Sequence, residues 1–172
     1  DQNATRARVW LAGGGWAAKA APMPRHAETR QLPYTADQMY ALVADVACYP
    51  EFLPWCAAAR IHRHDDLGEH SVMEADLVIS FKVYREKFTS RVTLWPEARR
   101  IETTYIDGPF KTMDSVWSFA EAPGGCEVTF TTDFEFKNRI LQAVIGVVFN
   151  EAMQRIVRAF ETRAAALYGP TS

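Results

Sequence analysis

The sequence predicts an α+β domain in which an antiparallel sheet curls round one long C-terminal helix. Three observations carry that expectation. After Trp55, apolar and polar residues alternate with period 2 as far as Phe136, interrupted only by short turn-forming clusters. From residue 138 to 167 the period becomes helical. Leu141, Ile145, Val148, Phe149, Ala152, Ile156, Ala159, Phe160 and Leu167 fall on one face at about 100° per residue. A single strand and a short helix precede the meander, and helices gathered on one face of an antiparallel sheet make an α+β arrangement.

Taken in order, residues 1–23 lack alternation and contain Gly13-Gly14-Gly15. Arg6, Arg8 and Lys19, with no acid after Asp1, give this stretch the charge pattern of a transit peptide, and Met23 stands directly before the first patterned segment. It reads as an unstructured leader or extension ahead of a domain over 24–169, with 170–172 as a tail. Residues 26–32 alternate weakly as a first strand, which Pro33 ends. Thr35 is a good N-cap, Asp37 sits in the first turn, and Met39, Leu42, Val43 and Val46 have helical spacing. That helix is expected to stop near Cys48, because Pro50 and Pro54 exclude a continuous one. Residues 49–55 between them form a rigid aromatic loop.

Strands are expected over residues 60–64, 71–81, 84–95, 100–106, 110–119 and 127–136. Turns lie at Asp65-Asp66-Leu67-Gly68, Asp107-Gly108-Pro109 and Pro123-Gly124-Gly125. Short turns between consecutive strands imply an antiparallel meander. Gly169-Pro170 ends the final helix. A strongly twisted sheet wrapped round a long helix is the helix-grip layout, which can enclose a cavity.

A chain of 172 residues is long enough for one domain with a packed core or a walled cavity. Its 48% hydrophobic and 23% charged residues are ordinary for a globular domain. A net charge of -2 argues against DNA or other nucleic acid held by bulk charge, while leaving a local basic stripe open. Cys48, Cys56 and Cys126 form no C-x-x-C pair and fit a reducing compartment. No uninterrupted apolar run reaches the roughly 18 residues of a bilayer span, so membrane contact is expected to be peripheral.

Three motifs resemble one known family. Tyr49-Pro50-Glu51-Phe52-Leu53-Pro54-Trp55-Cys56 resembles the Y-x-x-F-[VLI]-P-W-C loop of coenzyme Q-binding proteins in the START-like, polyketide-cyclase superfamily. Gly108-Pro109-Phe110-Lys111 with Trp117-x-Phe119 resembles a second block. Phe134-x-Phe136 and the helix through Phe160-Glu161-x-Arg163-Ala164 resemble a third. The first motif is the most specific, since two prolines bracketing Phe-Leu before Trp is an unusual combination.

This resemblance, spanning residues 24–168, implies a helix-grip fold of the START/Bet v 1 type with a hydrophobic tunnel. It implies ubiquinone or a similar isoprenoid lipid as bound ligand, carried without catalysis or a catalytic cofactor in support of respiratory electron transport. The implied location is the bacterial cytoplasm, peripheral to the inner membrane, or the matrix side of the mitochondrial inner membrane. The family also includes ribosome-association toxins of the RatA type, which implies the large ribosomal subunit as an alternative partner. Its cyclases imply an enzyme as the second alternative. No motif separates carrier from toxin.

Pocket candidates come first from the inward strand faces: Leu77, Ile79, Phe88, Val92, Tyr105, Met113, Trp117, Phe119, Phe130 and Phe134. The motifs and helix add Tyr49, Phe52, Leu53, Trp55, Phe110, Val148 and Phe149. The same residues would also fill a solid core. Alternation aims the Glu86 carboxylate inward as a protonated donor to a ligand oxygen; a bulge or an arginine partner would turn it outward. Few other acid–base groups are expected inside, so no catalytic residue is assigned. The 49–55 loop is read as either a lid or a plug.

On the long helix, Ile140, Val144 and Val147 lie off the main stripe, beside a net basic set that includes Arg155 and Arg158. An anionic membrane surface, ribosomal RNA or a dimer interface would each suit that surface. His62-x-His64 with Asp65 lacks a distant ligand set, so a solvated edge is expected and no metal site. Cys56 has no evident activator.

Overall fold

The alternating region folds into one seven-stranded antiparallel sheet in the order β1-β7-β6-β5-β4-β3-β2. Its strands are β1 Arg25–Leu32, β2 Cys56–Asp66, β3 Ser71–Phe81, β4 Tyr84–Trp95, β5 Arg100–Asp107, β6 Phe110–Ala122 and β7 Gly125–Phe136. Helix α1 spans Ala36–Ala44 and helix α2 spans Arg139–Tyr168. This computed structural model describes residues 25–169. The leader expected over 1–23 and the tail at 170–172 lie outside the described residues.

β3 and β4 have the bounds that their alternation predicts. β2 is longer than the expected 60–64, because bulges between Cys56 and Ala58 and between Ile61 and Arg63 break its periodicity. Thr35 caps α1 in a capping box with Gln38. The helix stops at Ala44, short of Cys48, and the chain tightens into a 3₁₀ turn over Val46–Glu51 that accommodates Pro50. Residues 49–51 of the expected aromatic loop are therefore ordered as a helical turn.

Gly108 explains part of the second motif. The β5–β6 turn passes so close to β4 that a Cβ on Gly108 would stand 2.6 Å from Phe88 Cβ, at a φ of +139°. Gly108→Ala should therefore destabilise by about 1–3 kcal/mol in urea unfolding. Gly124→Ala provides the comparison. Its φ of +80° is equally unsuited to a side chain, but its Cβ would meet open space, so its loss should be smaller.

Asn138 caps α2 by accepting from the Ile140 and Leu141 amides. The helix buries Leu141, Phe149, Met153, Val157, Phe160 and Ala164. That stripe is rotated from the expected one. Val148 and Leu167 are 37% and 52% exposed, while Met153 and Val157 face the sheet. The helix also docks on β1, where Asn150 meets His26 Nδ1 at 3.0 Å and Glu161 accepts from Arg30 at 2.9 Å. By length and composition α2 could cross a bilayer. Its second half nevertheless supplies a wall of the core, so extracting it would dismantle the domain.

Candidate functional site

Between the curved sheet and α2 lies a cavity of about 290 Å³. α1 packs on β5, β6 and β7, with Tyr40 set edge-on to Phe119 at 6.0 Å, and closes one end. At the other end the lining residues Glu86 and Val148 are exposed, with Trp55, Phe81 and Tyr84 half-buried beside them, which places the opening there. Trp55 holds a left-handed backbone with φ 65°, unusual for so large a residue. Its indole meets Phe81 edge-on at 6.1 Å, and the Arg155 guanidinium lies 5.7 Å from its ring centre.

Of the residues expected from sequence, Tyr49, Leu53, Trp55, Leu77, Ile79, Glu86, Phe88, Val92, Phe110, Met113, Trp117, Phe130, Phe134 and Val148 line the cavity. Four others do not. Phe52 packs edge-on against Tyr49 and Phe160, with Arg163 over its ring. Tyr105 is taken up by the β5–β6 turn, where its hydroxyl accepts from the Phe110 amide at 3.2 Å. Phe119 stacks against Trp117 beneath α1. Phe149 is buried against Phe134.

The lining also includes residues the pattern reading missed. Ile145, Ala152, Ile156 and Phe160 lie on the expected helix stripe and could have been found there. Ile101 was in phase on β5. Ser90, Thr103, Ser115 and Thr132 were passed over because a search for apolar faces skips hydroxyls, although their alternation is in register.

Glu86 lies opposite Ile79 in the β3–β4 ladder. It lines the cavity yet is exposed, which places it at the opening. Neither a bulge nor an arginine turns it away: no side-chain hydrogen bond or ion pair engages it among the described residues. Deeper in, Tyr49 donates its hydroxyl to the Val43 carbonyl, and burial holds its phenol protonated, above the usual value. Burial likewise raises the Cys56 thiol, outweighing an opposing backbone hydrogen bond at Ala58. Both shifts favour the protonated forms.

On the opposite face of the sheet, His62 pairs with buried Asp76, so it is anchored rather than simply solvated. Thr89 donates to the same carboxylate at 2.5 Å and Lys87 stands 3.8 Å away. Burial alone would raise the Asp76 pKa. The bonds from Thr89 and His62, with the His62 and Lys87 charges, outweigh it and hold the carboxyl below its ordinary range. Among the described residues, no three His, Cys, Asp or Glu side chains are grouped to hold a metal.

Residues 32–161 match the family described as polyketide cyclase / dehydrase and lipid transport. The chain belongs to this family. Its relatives include the ribosome association toxin RatA of Pseudomonas aeruginosa, 37% identical over 80% of this chain and 93% of that one. Another is the mitochondrial coenzyme Q-binding protein COQ10 homolog B of Xenopus laevis, 30% identical over 84% of this chain and 59% of that protein. Among solved structures, the 18 kDa protein CC1736 of Caulobacter crescentus is 36% identical. It superposes with a TM-score of 0.73 over 86% of this chain and all of its own. A START superfamily protein from Mycobacterium smegmatis shares the fold, with a TM-score of 0.71 at 18% identity over 85% of this chain and 99% of that one. The architecture is thus the helix-grip fold of the START/Bet v 1 kind, and the family spans both cyclisation and lipid transport.

Proposed function

We propose that this protein binds a ubiquinone-like isoprenoid lipid in the cavity and carries it without chemical change. The observation that supports this most directly is the lining, which is apolar and aromatic along nearly its whole length. Such a wall gains affinity from apolar area, at about 25 cal/mol per Å² buried. Turnover would need a positioned acid or base. Glu86, the one carboxylate in the lining, stands at the solvent-reached opening, while Tyr49 and Cys56 stay protonated.

The lipid reading also accounts for the surface beside the opening. Val83, at the β3–β4 tip, is 91% exposed; Ile140 and Val147 on α2 are 72% and 86% exposed, and Val144 is partly open. Lys82, Arg139, Arg155 and Arg158 are exposed nearby in sequence. Apolar residues among cations suit a peripheral station on an anionic membrane, from which a tail could enter.

Native mass spectrometry with lipid extraction tests this reading on protein from a quinone-producing host. Near-stoichiometric quinone is expected, and Leu77→Lys should abolish it. A protein that arrives empty and refuses added quinone would sink the proposal.

A second reading is favoured by relatives named as ribosome association toxins at 34–38% identity. It predicts co-sedimentation with large ribosomal subunits. Arg155→Glu/Arg158→Glu should abolish that binding.

A further inference from the structure

We propose that the deep part of the cavity is a head-group site. A row of strand hydroxyls there selects a flat ring bearing oxygen acceptors over a plain hydrocarbon. The inference rests on the lipid reading above and adds to it which end of the ligand goes in first.

Strand register builds the row. Thr103 on β5 faces Ser115 on β6, and Ser115 faces Thr132 on β7. Ser90 on β4 stands two residues before Val92, the partner of Thr103. All four line the cavity, and Ser90 and Thr132 are only 2% and 6% exposed. Along β4 the lining runs from Glu86 at the opening through Phe88 to Ser90 and Val92, so the row lies well inside.

The hydroxyls are not all free to do the same thing. Thr132 donates to the Asp114 carbonyl at 3.1 Å and keeps only acceptor capacity. Among the described residues, the side chains of Ser90, Thr103 and Ser115 make no hydrogen bond, yet none of their oxygens is sealed from open space. Three donors therefore converge on the interior of an otherwise apolar chamber. A hydrocarbon filling it would strip water from them and return no bond. Carbonyl or ether oxygens on a ligand would accept from them.

The surroundings favour a flat ligand. One step along the sheet, Trp117 and Phe130 are register partners whose rings stack at 4.2 Å. One step the other way are Met113 and Phe134, also partners. The tail of such a ligand would run back past Phe88 to the opening.

Two probes with one tail separate the head from the chain: a dimethoxybenzoquinone with a decyl tail, and decylbenzene. The intact protein should bind the quinone at least about tenfold more tightly, because decylbenzene would leave the buried hydroxyls without partners. Ser90→Ala/Thr103→Val/Ser115→Ala should erase that preference while holding decylbenzene as well as before. Should the triple variant not fold, Thr103→Val against Thr103→Ser makes the same comparison, since only Thr103→Ser keeps a hydroxyl and the preference. Equal binding of both probes by the intact protein, or a preference that survives loss of the hydroxyls, overturns the head-group site and leaves the lipid cavity standing. Failure of both probes to bind overturns both.

Discussion

Phe160→Ala should cost about 3–5 kcal/mol of stability, the range for deleting a large aromatic side chain from a well-packed core. Phe160 is 2% exposed. Its ring is edge-on to Tyr49, Phe52 and Trp117 at 5.4, 5.2 and 5.1 Å. Those partners come from the 3₁₀ turn, the loop after it and β6, so one side chain of α2 ties three parts of the chain together. Each aromatic pair adds roughly 0.5–1.5 kcal/mol beyond its buried area. The void left by truncation would merge with the existing cavity, which offers few atoms to relax into it, so a value in the upper half of the range is expected. Guanidinium unfolding measures the loss directly. Arg163→Ala provides the contrast: its guanidinium sits 5.2 Å from the Phe52 ring and reaches Glu51 at 3.2 Å. As a half-buried side chain paired with an exposed Glu51, it should cost only about 1 kcal/mol or less. Equal losses in the two variants would mean that the loop is not anchored through Phe160.

This arrangement gives the 49–55 segment features of both a lid and a plug. Tyr49 and Phe52 are pinned against α2, Tyr49 with one side on the cavity, and Leu53 and Trp55 continue the lining. One segment therefore packs the core with its first half and forms the rim with its second. Sequence alternation could not assign those halves, because the 3₁₀ turn has neither a strand nor an α-helical period.

The same distinction explains what was and was not legible elsewhere. Unbroken alternation made β3 and β4 readable to the residue, while two bulges hid most of β2. Period 2 says which side chains point inward, but not what they meet there. Trp117 and Phe119 share a face of β6, yet only Trp117 lines the cavity, since α1 covers Phe119. That outcome depends on where α1 docks, a long-range fact absent from the local pattern. The α2 stripe was legible as the cavity face, where Leu141, Ile145, Val148, Ala152, Ile156 and Phe160 all line the chamber. Its buried side lies further round, through Met153 and Val157, and that depends on how α2 docks on the sheet, again a long-range fact. Glu86 was legible in direction and illegible in depth: its alternation does place it inward, at a level that water reaches.

Ala152→Phe should move stability and binding in opposite directions. Ala152 is half-buried on α2 and lines the cavity. A phenyl ring there would project into space that no protein atom fills. Burying a Phe side chain is worth about 1.5–3 kcal/mol, and overpacking a filled core costs about 1–3 kcal/mol. With about 290 Å³ available the first effect should win. A net gain of about 1 kcal/mol would raise Tm by about 2–4 °C for a domain of this size. The same ring would occupy the path of a tail between the opening and the hydroxyl row, so quinone affinity should fall at least about tenfold, or roughly 1.4 kcal/mol. Added quinone should raise the Tm of the native protein by mass action and leave that of the variant unmoved. A packing defect with no ligand role would respond to Ala152→Phe with the stability gain alone, because there would be no binding to lose. A chamber that closes in solution would respond with a loss of stability, because the ring would have nowhere to go. Only a cavity that is both open and used gives the crossed result, and calorimetry with and without quinone reads both halves of it.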